Sequence, residues 1–152
     1  MSQTGLSYPA VTLPRASVST IGRVVGAGLL LAMAWIHWHL YEIGFSSIHL
    51  IGPAFLMNAV LGTLAAITVA LTPRRWLGVA SGAAALIDAG TLGALALSLT
   101  VGLFGFHESL NATLLPETVA IEIIGTAVLA WLAWSHRAPV VALVRREMAR
   151  RW

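Results

Sequence analysis

The stretch AWIHWHLYEIGFSSIHLIGP (Ala34–Pro53) places His37, His39, Glu42 and His49 in an apolar run, in a chain with five histidines and six acids. Imidazole binds copper, zinc, iron and haem iron, it also carries protons, and carboxylates widen the choice of cation. A second group, His107, Glu108 and Glu117, follows in GLFGFHESLNATLLPET. On a helix His37 and His39 point about 200° apart and cannot hold one ion together, whereas His39 and Glu42 share a face. A single metal site would therefore take one of these histidines, His49, and His107 or Glu108. Haem b would need two axial histidines from facing helices, and His39 with His107 would supply them. Copper would take two or three histidines near the surface. The plain alternative is that histidine, tyrosine and glutamate simply sit at the headgroup boundary. Pro53 has no N–H for the His49 carbonyl, which leaves that carbonyl to other donors if the segment is helical.

A different chemistry is suggested by AAALIDAGTLGAL, where Asp88 lies in an uninterrupted apolar segment. Counted from Trp76 it is about 18 Å into the span, near mid-membrane. A carboxylate there faces the bundle interior or a water-filled cavity. Asn58, at a similar depth in the second span, is its expected partner unless it keeps its proton. Glu122 lies about 7.5 Å below the start of the fourth span. Asp88 and Glu122, with the histidines, could form a proton path. The alternative is ordinary polar bonding between helices.

The elements that must position these groups follow from composition. Of 152 residues, 58% are hydrophobic and 10% charged, and the mean hydropathy is +0.84. Such a chain is an integral membrane protein. Four segments reach the length of about 20 residues that a helix needs to cross a membrane. They run over roughly 21–41, 48–71, 76–104 and 117–134 by that criterion. The expected fold is all-α, a four-helix transmembrane bundle over 21–137, preceded by a disordered arm (1–20) and followed by an amphipathic tail (138–152). Ser17, Ser19 and Thr20 are candidate caps for the first helix. The arm lacks the basic region and apolar core of a cleavable signal peptide, so the first span is expected to be retained. With neither cysteine nor lysine in the chain, disulfides, thiolate metal sites and lysine Schiff bases are excluded.

All nine basic residues are arginines. Arg15, Arg23, Arg74, Arg75, Arg137, Arg145, Arg146, Arg150 and Arg151 fall in the arm, the second connection and the tail. The positive-inside rule then makes both termini cytoplasmic, in a bacterial inner membrane, with the histidines outside. Tryptophans near the span ends suit an aromatic belt. In VVALVRREMARRW, Val140, Val144, Met148 and Trp152 recur on one helical face while Arg145, Arg146 and Arg150 gather elsewhere, as in a helix lying on an anionic lipid surface. The pI of about 10.6 is thus a matter of membrane orientation, and no basic patch interleaved with base-stacking aromatics suggests nucleic acid.

Gly78, Gly82, Gly90 and Gly93 make the third span smooth, and the Gly78/Gly82 pair permits close helix approach within the bundle or to a partner. The phrases IHWHLYEIGFSSIHLIGPAFLMNAVLG and LSLTVGLFGFHES resemble a group of small four-span membrane proteins of actinobacteria. The abundance of Ala, Gly and Arg without Lys fits a GC-rich coding source. The resemblance implies that the outer ends of the first three spans form one unit, and it carries no activity or catalytic residues with it.

Three functions are compatible with these features. The first is a non-catalytic accessory or assembly subunit of a larger membrane complex, for example a respiratory one, partnered by other membrane subunits or by itself. The second is a copper- or haem-binding protein with a histidine site in the outer leaflet. The third is a proton- or ion-coupled transporter using Asp88 and Glu122, which with four spans and no inverted repeat would be at least a dimer. An independent enzyme is the least supported class, because no triad, phosphate loop or paired-acid motif is present.

Overall fold

In the computed structural model of the chain, the described residues are 15–137 together with 148 and 149. They form four α-helices: α1 (Arg15–Ile43), α2 (Ile51–Leu71), α3 (Leu77–Thr100) and α4 (Leu115–Ser135). All four are long and apolar enough to cross a membrane. At 1.5 Å per residue even the 21-residue helices reach about 31 Å, the thickness of the hydrocarbon layer. The chain is a multi-pass membrane protein, and its fold is an all-α four-helix bundle. Helices are required here because no water in the lipid core can satisfy a free backbone amide.

The boundaries depart from the expected ones in three places. α1 begins at Arg15, so Arg15–Thr20 belong to the helix rather than to the arm. Ser19 is therefore not a cap; its Oγ is 3.0 Å from His136 Nε2. Arg23 also lies within α1, and it donates to the Ala70 carbonyl at 3.1 Å, satisfying a carbonyl of the last turn of α2. α2 begins at Ile51, after Leu50 at φ +63°, which leaves His49 in the connection. Ile48 and Leu50 carbonyls accept from Gly52 and Ala54; Pro53, between those two donors, is tolerated in the first turn because that N–H has no obligatory partner. α3 stops at Thr100, short of the expected Phe104. Gly102, at φ +85°, turns the chain away, and its N–H reaches the Leu97 carbonyl at 2.9 Å. The expected tail lies outside the described residues apart from 148 and 149, which are helical and exposed.

Each helix packs against its neighbours in the chain, and α1 closes the ring against α4; the α2–α3 contact is the thinnest of the four. The start of α1 meets the end of α4 through Ser19 and His136, so both ends of the bundle's chain lie at one end. Arg74, Arg75 and Arg137 lie there too, and this is called the basic end; the other is the histidine end. Close approach rests on small residues. A Cβ on Gly62 would lie 2.9 Å from Met33 Cε across the α1–α2 contact, and one on Gly78 would lie 2.7 Å from the His136 carbonyl oxygen across the α3–α4 contact. The expected smooth face of α3 is thus divided: Gly78 and Gly82 meet α4, whereas Gly90 and Gly93 have nothing within 4 Å.

The apolar core is displaced toward the basic end. Val69 closes α2, Leu77 opens α3, Leu129 and Leu132 close α4, and each is 0% exposed. Leu30 and Met33 of α1 complete it. Packing of this density excludes water from that half.

Candidate functional site

Polar side chains occupy the seam between the helices. On α3, Ser81, Asp88, Thr91 and Ser98 are all buried. Their separations from Ser81 are seven, ten and seventeen residues, which bring them to one helical face. The stripe is about 25 Å long, most of the roughly 30 Å hydrocarbon thickness. α4 answers with Thr118 and Glu122, both buried, and with Thr126 one turn further on.

Two carboxyl groups meet inside this seam. Asp88 and Glu122 are each 1% exposed. Thr126 Oγ1 donates to Asp88 Oδ2 at 3.2 Å, so the partner of Asp88 is on α4 and is not the expected Asn58 of α2. Gly125 makes this possible: a Cβ there would lie 2.5 Å from Asp88 Oδ2. Asp88 is near enough for its charge to act on Glu122, and Thr91, between them in the seam, donates its hydroxyl to the Asp88 carbonyl at 2.7 Å. Glu122 Oε2 is buried without a hydrogen-bond partner, as is Ser81 Oγ. An unpartnered buried carboxyl oxygen is rare and calls for a reason. The arginines of the bundle are all near the helix ends in sequence, so no cation accompanies these acids at mid-span.

Toward the histidine end the seam widens into a cavity of about 80 Å3. At roughly 10–15 Å3 for each water centre it has room for several waters. Its floor carries Glu122, Thr91, Asn58 and His37, contributed by all four helices. Its mouth carries Phe45, Phe55, Phe106 and Glu108. The 101–114 connection folds over the mouth. There Leu103 and Phe106 exchange backbone hydrogen bonds at 2.8 and 2.9 Å around Phe104 and Gly105, both at positive φ, which is a type I′ turn. The Glu108 N–H donates to the Ser98 carbonyl at 3.0 Å and ties the loop to α3.

The expected ligand histidines do not converge. His37 is buried, and its Nδ1 donates to the Met33 carbonyl at 2.9 Å. His39 points to the other side of α1, where its ring stacks on Trp35 with centroids 5.2 Å apart. His49 and Glu42 are exposed. His107 is exposed at the loop, its ring against Gly102, where a Cβ would lie 2.6 Å from Nε2. Among the described residues no group of three or more His, Asp or Glu is placed to hold a metal ion. The paired arrangement expected of His39 and His107 is thus replaced by separate local packing, with Trp35 for one and the loop glycine for the other. Trp152 and the arginines at 145, 146 and 150 lie outside the described residues.

Residue-by-residue reading of the sequence missed Thr91, Thr118 and Thr126, although a signal was present: each acid has a hydroxyl one helical turn away. It also missed the three phenylalanines, which come together only in the folded chain. The fold and seam define a class, the multi-pass α-helical membrane proteins with ionisable groups at mid-span. Comparison of the chain with family models, with curated proteins and with solved structures gives no match.

Proposed function

We propose that this protein carries protons across a bilayer as a proton-conducting or proton-coupled carrier, with Glu122 exchanging protons with the cavity and Asp88 receiving them deeper in the seam. The observation that carries this reading is a pair of fully buried carboxyl groups, of which Glu122 lines a cavity at the histidine end and Asp88 lies behind it. Acids in a membrane interior are costly and are characteristic of proton and ion pathways. Two acids this close, with threonine hydroxyls beside them, could pass a proton between them through hydrogen bonds. The apolar core at the basic end supplies the closed side of the path, and the α2–α3 contact, the thinnest in the ring, is where the bundle would open. By the positive-inside rule the basic end is cytoplasmic and the cavity faces outward, in a bacterial plasma membrane.

The test is proton uptake by liposomes holding the purified full-length chain and a trapped pH-sensitive dye, driven by a potassium diffusion potential. Wild-type protein is expected to acidify the lumen well above empty liposomes. Asp88→Asn and Glu122→Gln should each reduce the rate at least tenfold with helical content unchanged, and Asp88→Glu should retain part of it. Wild-type uptake no faster than empty liposomes, or unchanged rates in both variants, would overturn the reading.

A second reading, an accessory subunit of a larger membrane complex, is supported by Gly28, Gly90 and Gly93, which present open glycine surface on α1 and α3. Small residues of this kind let another helix approach closely. Co-purification of defined partner subunits at fixed stoichiometry would favour it.

A further inference from the structure

The lining of the cavity is one-sided in its hydrogen bonding. Thr91, Ser98 and Thr118 each direct their hydroxyl hydrogen to a backbone carbonyl three or four residues back, at 2.7, 2.8 and 2.7 Å. Toward the cavity these hydroxyls present lone pairs. The His37 Nδ1 hydrogen is committed to the Met33 carbonyl, so in the neutral ring Nε2 is an acceptor. Glu122 Oε2 is an acceptor without a partner, on a side chain that is 1% exposed and lines the cavity. Glu108 at the mouth adds a second carboxylate. No arginine lines the cavity, and its side-chain donors are the Asn58 amide and the Thr113 hydroxyl.

The walls are aromatic. Phe45 stacks on Phe55 with centroids 4.5 Å apart, Phe106 meets Phe45 edge-on at 5.8 Å, and Phe55 lies 5.1 Å from the His37 ring. Aromatic faces attract a cation, more strongly where water is excluded. An anion would find no cationic group here and would face the Glu122 and Glu108 carboxyls. A bare divalent ion would need several oxygen ligands, and the described residues offer no such group. An ammonium group has three hydrogens to donate and no acceptor, which is the complement of this lining.

We infer that the cavity at the histidine end binds a small monovalent organic cation, an alkylammonium of a few carbons, with its ammonium group at the Glu122 carboxyl and its chain among Phe45, Phe55 and Phe106. The inference deepens the carrier reading and rests on it for the exchange at Glu122: a proton and an ammonium compete for one carboxylate, so binding of one releases the other. Bound amine therefore blocks the passage of protons through Glu122. Asp88 stands behind Glu122 and takes no part in holding the amine.

The test is isothermal titration of the detergent-solubilised full-length protein with butylammonium chloride, against sodium chloride at equal ionic strength and against 1-butanol. Butylammonium is expected to bind saturably, with a heat that varies with the buffer's ionisation enthalpy because protons are released, and sodium chloride and butanol are expected to give no saturable heat. Glu122→Gln should weaken binding at least tenfold. Phe55→Leu, which keeps an apolar side chain, should weaken it about fivefold. Butylammonium heats equal to those of sodium chloride, or equal binding of butanol, would overturn the inference, as would undiminished affinity in Glu122→Gln. Amine binding without proton flux in liposomes would leave this inference standing and remove the carrier reading. Proton flux without amine binding would do the reverse.

Discussion

At the scale of single residues, the polar groups differ most in whether they have partners. Asp88 accepts from Thr126, and His136 holds both Ser19 and the Leu132 carbonyl, at 3.0 Å each. Ser81 Oγ is 0% exposed and has no partner. A buried hydroxyl in that state forfeits about 1–3 kcal/mol of hydration without return. Ser81→Ala is therefore expected to be neutral or to stabilise by about 1 kcal/mol, read as an unchanged or raised Tm in detergent. A lowered Tm would mean that the hydroxyl is bonded in the folded protein. The histidines make the same point from the other side. His39 and His107 have the type and spacing of ligands, yet each ring is occupied by a local neighbour, Trp35 in one case and Gly102 in the other.

At the scale of elements, the connection from α3 to α4 decides the shape of the cavity. Its course depends on Gly102, which combines φ +85° with the His107 ring packed where a Cβ would stand. Gly102→Ala must either strain the backbone or displace the ring, at a local cost of about 1–2 kcal/mol. The expected result is amide exchange roughly tenfold faster over residues 101–114, with α1 and α2 unaffected, measured by hydrogen–deuterium exchange. Equal protection in the variant would show that the loop does not depend on this turn. The end of α3 was not legible in the sequence, because VGLFGF is as apolar as the helix before it and continues the hydrophobic run. Only the left-handed turn at Gly102 separates the two. The start of α1 was missed for the opposite reason: RASVST reads as a polar cap, but Ser19 is buried against α4.

At the scale of the whole molecule, the bundle is asymmetric along its axis. Leucines and a valine fill the basic half, and the cavity and acids occupy the rest. Tryptophans mark both boundaries, Trp35 and Trp38 toward one end and Trp76, Trp131 and Trp134 toward the other, all exposed on the bundle surface. At the basic end Arg137 lies over the Trp134 ring at 3.2 Å, a cation–π contact suited to the headgroup layer. The absence of cysteine from the chain allows orientation to be read directly. Ser46→Cys, at the histidine end, is expected to react with a membrane-impermeant maleimide in intact cells. Ser135→Cys, at the basic end, should react only after lysis. The reverse pattern would place the cavity on the cytoplasmic side and invert the proposed direction of access.

Four spans and an all-helical fold were legible in the sequence because both follow from local quantities. Apolar length sets whether a segment crosses the bilayer, and the lack of water there compels the helix. The opposed directions of His37 and His39 were legible for the same reason, since helical geometry alone dictates them. Which polar groups would meet was not. Asp88 pairs with Thr126 rather than Asn58 because α3 and α4 approach closely at Gly78 and Gly125, and the rotation of one helix against another is a property of the pair. The same packing turns Asn58, His37 and Glu122 into one cavity floor. Sequence determined how many helices cross and what each carries; tertiary packing decided which carboxyl oxygen was left without a partner, and so where a ligand would go.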